Sequence, residues 1–92
     1  MKLVKTDFYG KKERKFFKKH PDLLGKYAQA LKALAVEPFD SSLKTHKLKG
    51  HLKEFHACSL TYEYRLVFIL LIQDDKLTLV DIGTHDEVYR GS

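Results

Sequence analysis

The sequence predicts an α+β fold in which two N-terminal helices pack on a small antiparallel sheet, in the order β-α-α-β-β-β. Two observations lead to this prediction. Apolar residues recur at helical spacing through residues 8–36, and three alternating or apolar segments separated by short turns follow in residues 54–82. Helices that precede strands, rather than alternating with them, are typical of α+β proteins. A chain of 92 residues is expected to form a single domain with one core.

The longest apolar segment, residues 62–72, is predicted to form a central strand that is covered on both faces. It is rich in aromatic and branched side chains and is too short to cross a bilayer. Glu63 and Arg65 lie two residues apart, so on a strand their side chains would point to the same face. Such a pair suits either catalytic chemistry at the mouth of a buried strand or an ion pair at the sheet end.

The N-terminal part is predicted to form a short strand over residues 2–6 and then a helix over residues 8–19. Thr6 or Asp7 is suited to cap this helix, because each can accept hydrogen bonds from its first backbone N–H groups. Four aromatic residues lie seven or eight positions apart, so some of them should face the sheet. Those expected to pack there are Phe8, Phe16, and either Tyr9 or Phe17.

The remaining elements follow from proline positions and from alternation. Pro21 suits the first turn of a second helix, and Pro38 ends it. Alternating residues predict a strand over residues 54–60, which should form a hairpin with residues 62–72. Residues 77–82 are predicted to form the last strand.

The chain end is expected to form a turn or short helix over residues 83–89, capped by Thr84. In a meander, the start of one strand lies beside the end of the next. This arrangement should bring Glu63 and Arg65 close to His85.

The distribution of charge indicates a polyanionic partner, either a nucleic acid or an acidic protein. The net charge is +5, and the basic excess is concentrated in residues 1–26 and 44–53. The alternative is a lysine-rich surface that serves only solubility.

The single cysteine, Cys58, excludes an internal disulfide and is expected to be a buried free thiol. Together with the lack of an apolar leader or spanning segment, it indicates a reducing cytoplasm and no membrane association. Residues 91 and 92 (Gly-Ser) are typical of a cloning scar and are not expected to belong to the fold.

The candidate functional residues indicate acid–base chemistry without a metal or other cofactor. Five histidines are present, but no pair has a recognised metal-ligand spacing. Cleavage of RNA through its own 2′-hydroxyl needs a base, an acid and cations beside the phosphate. The predicted set comprises His46, Glu63, Arg65, His85 and Tyr89 as catalytic residues, with Lys44, Lys47, Lys49 and Lys53 as phosphate-binding residues.

The residue types in this set match those tasks, although each has an ordinary structural alternative. Histidine transfers protons near neutral pH, and the arginine fork donates hydrogen bonds to phosphate. Tyr89 is suited to stack on a base. His85 equally suits a helix end, and Tyr89 equally suits a core.

Three sequence elements, in this order, resemble the RelE/ParE superfamily of bacterial toxins, and within it the YafQ-type branch. They are His46-Lys47-Leu48-Lys49-Gly50-His51-Leu52, Tyr64-Arg65-Leu66-Val67-Phe68 and Gly83-Thr84-His85-Asp86-Glu87-Val88-Tyr89. The resemblance covers essentially the whole chain. It implies a RelE-like fold of the microbial ribonuclease type. It also implies a ribosome-dependent mRNA endoribonuclease, the toxin of a type II toxin–antitoxin system, which inhibits translation.

The resemblance also implies partners and residue roles. The partners are mRNA in the ribosomal A site, the 16S and 23S rRNA, and a cognate acidic antitoxin that wraps the basic toxin. By position, His46 and His85 match the histidines of the first and last elements. Glu63 matches an acidic residue before the central strand, and Tyr89 matches an aromatic near the C-terminus. Arg65 resembles the phosphate-stabilising arginine of the RelE branch.

The chain departs from the YafQ type at Ala57 and Ser59, where that branch has an aspartate and a histidine. His56 is nearby but would face the opposite side of the strand from Ala57. The sequence therefore does not show which of His46, Glu63 and His85 acts as the acid and which as the base. Two alternatives remain. One is a ParE-like toxin that inhibits DNA gyrase, and the other is a catalytically silent family member that acts through binding.

Overall fold

The computed structural model of the protein describes residues 1–49 and 54–89. Gly50 of the first resembling element, the candidate phosphate ligand Lys53 and residues 91 and 92 lie outside these ranges. Within them, the helices and strands in chain order are β1 (Lys2–Lys5), α1 (Asp7–Lys19), α2 (Leu24–Val36), β2 (His46–Lys47), β3 (Phe55–Ser59), β4 (Tyr64–Leu71), β5 (Lys76–Thr84) and α3 (His85–Tyr89).

The five strands form one sheet in the order β1-β5-β4-β3-β2, which places β4 at the centre as predicted. Strands β2 to β5 are an antiparallel meander. The predicted antiparallel pairing does not extend to β1, which pairs in parallel with β5. Both helices and three strands separate β1 from β5 along the chain, so no hairpin constrains their relative direction, and a parallel pair becomes possible.

The ends of the first two helices follow from local residues. Thr6 caps α1, because its Oγ1 accepts a hydrogen bond from the N–H of Tyr9 at 3.0 Å. Pro21–Leu23 forms a single 3₁₀ turn that leads into α2, so the second helix begins slightly later than predicted. It ends just before Pro38, which cannot continue a helix.

The helix α1 is rotated relative to the prediction. Tyr9 is fully buried, and Phe16 and Phe17 pack against the core, whereas Phe8 is 63% exposed. Each residue turns an α-helix by about 100°, so residues seven and eight positions after Tyr9 share its face. Phe8 lies to the side of that face and instead has the Lys12 ammonium 5.6 Å from its ring centroid. The prediction that Phe8 packs on the sheet is therefore wrong.

The larger core cluster lies between the sheet and the helices α1 and α2. The tyrosine hydroxyls at its margin have hydrogen-bond partners within the protein. The hydroxyls of Tyr9 and Tyr27 lie 2.7 Å apart, and the Tyr27 hydroxyl also donates to the Glu13 carboxylate. Burial raises the pKa of both tyrosines, so both hydroxyls stay protonated. The largest fully buried side chains of this cluster are Tyr9, Phe68, Leu34, Leu66, Leu77, Leu79 and Cys58.

A second, smaller cluster covers the opposite face of the sheet. It joins Leu48, Ala57, Val67 and Val88, the last of these on α3. Strand β4 is therefore covered on both faces around its middle, as the uninterrupted apolar run predicts.

The predicted cap of the terminal helix is present. Thr84 Oγ1 accepts from the N–H of Glu87 at 3.2 Å, and the Glu87 carboxylate accepts from the N–H of Thr84 at 2.8 Å. This reciprocal pair is a capping box, which holds α3 at the end of β5.

Cys58 is a buried free thiol, as expected. Burial raises its pKa to about 12, so the thiol is protonated at neutral pH and is a poor nucleophile. The longest helices in the described ranges have 13 residues, and none there combines the length and hydropathy needed to cross a bilayer.

The packing of β4 yields a stability prediction. Leu66 is fully buried, so Leu66→Ala should lower the free energy of unfolding by roughly 2–5 kcal/mol, because it removes apolar contact and leaves a cavity. Leu71 lies on the same strand but is 42% exposed, and Leu71→Ala should cost less than about 1 kcal/mol. Urea unfolding of the two variants and the wild type measures this difference. Equal losses would contradict the assignment of Leu66 to the core.

Candidate active site

The strand register places His46 and Arg65, two of the predicted site residues, on the sheet face opposite α1 and α2. His46 pairs with Ala57, and Arg65 lies between Ser59 and Gly83. Directly opposed residues of antiparallel strands point to the same face, so these five residues share one side of the sheet. This surface is called the α3 face, because α3 packs at its edge. The expected approach of Arg65 to the end of the last strand is confirmed by its pairing with Gly83.

Tyr89 connects the two predicted catalytic histidines. Its hydroxyl lies 3.2 Å from Nε2 of His46. Its ring meets the His85 ring edge-to-face, with centroids 4.3 Å apart and an interplanar angle of 89°. His85 and Tyr89 are four residues apart on α3, which places them on the same side of the helix. The structure therefore brings together three of the five predicted catalytic residues in direct contact.

The tautomer of neutral His46 follows from its hydrogen bonds. Nδ1 lies 3.2 Å from the carbonyl oxygen of Lys44, which can only accept. Nδ1 therefore carries the proton and donates to Lys44, while Nε2 accepts from the hydroxyl of Tyr89. Lys44 adopts a left-handed backbone conformation with φ of 53°.

Arg65 is held by the turn that precedes β4. Its Nη1 donates to the carbonyl oxygens of Thr61, Tyr62 and Tyr64 at 2.8, 2.9 and 3.2 Å. Its other guanidinium N–H groups make no hydrogen bond within the described residues, so they can meet a phosphate. Burial raises the pKa of Tyr89, and the positive charge of Arg65 acts in the opposite direction.

Glu63 is separate from this arrangement. The prediction that Glu63 and Arg65 share a strand face is wrong, because β4 begins at Tyr64 and Glu63 lies in the preceding turn. The N–H of Glu63 donates to Thr61 Oγ1 at 3.2 Å, which helps to form that turn. Its carboxylate is exposed and makes no ion pair with another described residue.

Within the described residues, the predicted phosphate-binding lysines do not all point to the α3 face. Lys44, Lys47 and Lys49 are all exposed. Lys47 pairs with His56, so it points away from the α3 face, whereas its neighbour His46 points toward it. The His56 ring stacks on Phe68 with centroids 5.9 Å apart, on the opposite side of β3 from Ala57 as expected.

The short strand β2 was not predicted, although it positions His46. The exposed Lys47 and Lys49 flank the buried Leu48, an alternation typical of a strand, but two paired residues are too few for a clear pattern. Ala57, at which this chain departs from the resembling sequences, is buried, and Ser59, the second such position, is half-buried. No group of three or more His, Cys, Asp or Glu side chains in residues 1–49 and 54–89 is placed to hold a metal ion.

Solved structures of bacterial toxins share this fold. A metal-bound toxin from Helicobacter pylori is 30% identical, with a TM-score of 0.81, over 97% of this chain and 99% of that one. YafQ from Escherichia coli strain BL21(DE3) is 19% identical, with a TM-score of 0.80, over 95% of this chain and 96% of that one. The match to the E. coli DinJ–YafQ complex has 20% identity and a TM-score of 0.78, over 95% of this chain and 96% of that one. No curated protein sequence matches this chain.

The fold and these likenesses define the class, a bacterial toxin. The family model of YafQ, a bacterial toxin of type II toxin–antitoxin systems, matches residues 1–90. The chain therefore belongs to this family. The resemblance inferred from the sequence elements is confirmed.

The position of His56 predicts a dependence of stability on pH. Desolvation lowers the pKa of His56, and the nearby charges of Lys47 and His46 add to the effect. Within the described residues, its buried Nδ1 has no hydrogen-bond partner. The unfolded chain therefore binds more protons than the folded protein below the ordinary pKa of about 6.5, so stability falls as the pH falls through that value.

His56→Phe keeps a ring on Phe68 but cannot bind a proton. Between about pH 7.5 and about pH 5, this variant should lose less unfolding free energy than the wild type. Urea unfolding at both pH values measures the two losses. A variant with the same pH dependence as the wild type would contradict the assigned role of His56.

Proposed function

We propose that this YafQ-family toxin is an endoribonuclease that cuts mRNA in the ribosomal A site and so inhibits translation. The observation that carries the proposal is the contact chain His46–Tyr89–His85 on the same sheet face as Arg65. Two groups for proton transfer and one cation beside them match the needs of cleavage through the 2′-hydroxyl.

In the proposed reaction, a base removes the proton of the 2′-hydroxyl, and the 2′-oxygen attacks the adjacent phosphorus. The bond from phosphorus to the 5′-oxygen breaks, and an acid protonates the leaving oxygen. The products are a 2′,3′-cyclic phosphate and a 5′-hydroxyl. Each proton transfer has a candidate side chain, so the proposed reaction is metal-independent and uses no cofactor.

His46 is the proposed base. Its Nδ1–H donates to the Lys44 carbonyl, and its Nε2 accepts from the Tyr89 hydroxyl. Nε2 can therefore take the proton of the 2′-hydroxyl directly or through the Tyr89 hydroxyl. His85 is the proposed acid. Its Nδ1 lies 3.5 Å from Asp86, which leaves Nε2 to meet the leaving oxygen. Glu63 remains the alternative base, and Tyr89 is also suited to stack on a base of the message.

Arg65 is the proposed phosphate clamp. The three carbonyl oxygens that hold Nη1 position the guanidinium before substrate binds, and such preorganised cations stabilise the charge that develops on the phosphate oxygens. Lys44, Lys49 and Lys53 are also proposed phosphate ligands. Lys47 points to the other face and would contact a different part of the RNA.

The ribosome is proposed to complete the site. Ala57 and Ser59 offer no proton-transfer group, so the few that remain depend on an accurately placed substrate, which 16S and 23S rRNA are proposed to provide. This activity takes place in the cytoplasm, as the sequence predicts.

A cognate acidic antitoxin is the second proposed partner. The E. coli relative is solved as a DinJ–YafQ complex, and this chain belongs to the same toxin family. Its net charge of +5 complements an acidic protein, which would be attracted over a long range and would compete with RNA for the basic surface.

The proposal predicts the effect of substitutions at His85 and Arg65. His85→Ala and Arg65→Ala should each reduce mRNA cleavage by roughly 10²–10⁴-fold, because each removes a group that acts on the transition state. Lys32→Ala, on the exposed side of α2, is the control and should retain activity. Induced expression with primer extension on a known transcript measures growth arrest and new mRNA ends.

Each outcome of this experiment decides between functions. New ends that depend on translation and vanish in both variants support the ribosome-dependent nuclease. Growth arrest without new ends would instead favour DNA gyrase as the target, and the absence of arrest would favour a silent family member. Full cleavage by both variants would show that the assigned roles are wrong.

The chemistry of the ends tests the mechanism separately. Replacing the 2′-hydroxyl at the cleavage site by hydrogen should abolish cleavage, because the attacking oxygen is then absent. Mass spectrometry of the products should find a 2′,3′-cyclic phosphate or its hydrolysis product. A 3′-hydroxyl with a 5′-phosphate would contradict the proposed mechanism.

A further inference from the structure

A groove of about 350 Å³ lies on the helix side of the sheet. Lys12, Lys15 and Lys19 of α1 form one wall, and Tyr64 and Thr84, at the ends of β4 and β5, form the other. It is called the α1 groove. None of the predicted catalytic residues lines it.

The lysine wall is positively charged. The three lysines are spaced three and four residues apart, so they line one side of α1. Lys12 pairs with Asp81, whereas Lys15 and Lys19 make no ion pair within the described residues. The acidic residue at the groove is Glu87, whose carboxylate accepts the N–H of Thr84 in the capping box.

An aromatic cluster completes the groove. The Phe16 ring centroid lies 4.6 Å from that of His20 and 4.9 Å from that of Tyr64, and His20 and Tyr64 are 4.9 Å apart. Nε2 of His20 lies 3.4 Å from the Tyr64 hydroxyl. All three side chains are half-buried, so the cluster is ordered by packing but still reaches the groove.

The groove and the candidate active site meet at one end of the sheet. Tyr64 pairs with Thr84, and both line the groove. The next residue after each is a proposed catalytic residue, Arg65 on the α3 face and His85 at the start of α3. An RNA strand that leaves the catalytic residues around this end of the sheet would enter the α1 groove.

We propose that the α1 groove is a nucleotide subsite for the substrate strand next to the cleaved bond. Lys15 and Lys19 bind a phosphate, and the cluster of His20 and Tyr64 contacts the attached base. Cations beside aromatic rings are the combination that binds single-stranded nucleic acid, because every base has a face that can stack. An acidic peptide would use the lysines alone. The inference rests on the proposed nuclease function.

The test measures binding of a short single-stranded RNA by fluorescence anisotropy, with His85→Gln present in every protein to prevent cleavage. The double variant Lys15→Ala/Lys19→Ala should weaken binding. It should also reduce the slope of log affinity against log salt, between about 50 and about 200 mM, by roughly 0.7 for each lost phosphate contact. Lys15→Arg/Lys19→Arg should retain the wild-type slope.

A matched control is available on the same helix. Lys11 and Lys18 are exposed, and neither lines the groove. The double variant Lys11→Ala/Lys18→Ala makes the same change in net charge and should alter the slope less. If the two alanine double variants behave alike, the groove is not a phosphate site and the inference is wrong.

The base contact is tested with an RNA that carries 4-thiouridine next to the cleavage site. Ultraviolet cross-linking followed by mass spectrometry should find the label on His20 or Tyr64, both with RNA alone and with the message on the ribosome. Cross-links from the labelled RNA only to residues other than these two would overturn the inference. So would a double variant at Lys15 and Lys19 that weakens antitoxin binding while binding RNA as the control does.

Failure of this inference is distinguishable from failure of the proposed function. A wild-type protein that cleaves mRNA, with no difference between the groove variant and its control, would overturn the subsite alone. A wild-type protein that cleaves no mRNA would overturn the nuclease and, with it, the assignment of a substrate strand to the groove.

Discussion

The burial of β4 on both faces is the constraint on which the rest of the structure depends. Leu66 and Phe68 pack beneath α1 and α2, while Val67 between them packs on the α3 side. A slip of one residue in register would exchange these faces and expose the core, so the pairing is strongly determined. The same register sends Arg65 to the α3 face and leaves Tyr64 on the helix side, where it packs against Phe16.

The candidate active site combines elements that the sheet holds at fixed positions. The capping box sets the start of α3, and Val88 anchors that helix on the sheet. Tyr89 then reaches His46, which β2 and the Lys44 carbonyl orient. Because both ring nitrogens of His46 are hydrogen-bonded, the ring needs little reorganisation. A proton-transfer site requires this property. Ala57, the partner of His46 on β3, is buried and has no group that could transfer a proton.

Much of this architecture could be predicted because its signals are local. Helical spacing, the Thr6 cap, Pro21 and Pro38, and the apolar run of β4 each act within a few residues. The Thr84 cap and the approach of Arg65 to the end of β5 also followed from local pattern and from the rule that adjacent strand ends meet in a meander. Chemical type and family resemblance indicate the candidate residues, whereas only the tertiary structure shows how they are arranged.

The sequence by itself therefore determined the fold class, the two N-terminal helices, the central strand and the basic character of the surface, because periodicity and charge are properties of the chain. The tertiary structure decided the parallel pairing of β1, the exposure of Phe8 and the exclusion of Glu63 from β4. It also decided the contact between His46 and Tyr89, which lie 43 residues apart. Such outcomes depend on how packed elements are rotated and where strand pairing ends, and no local pattern encodes either.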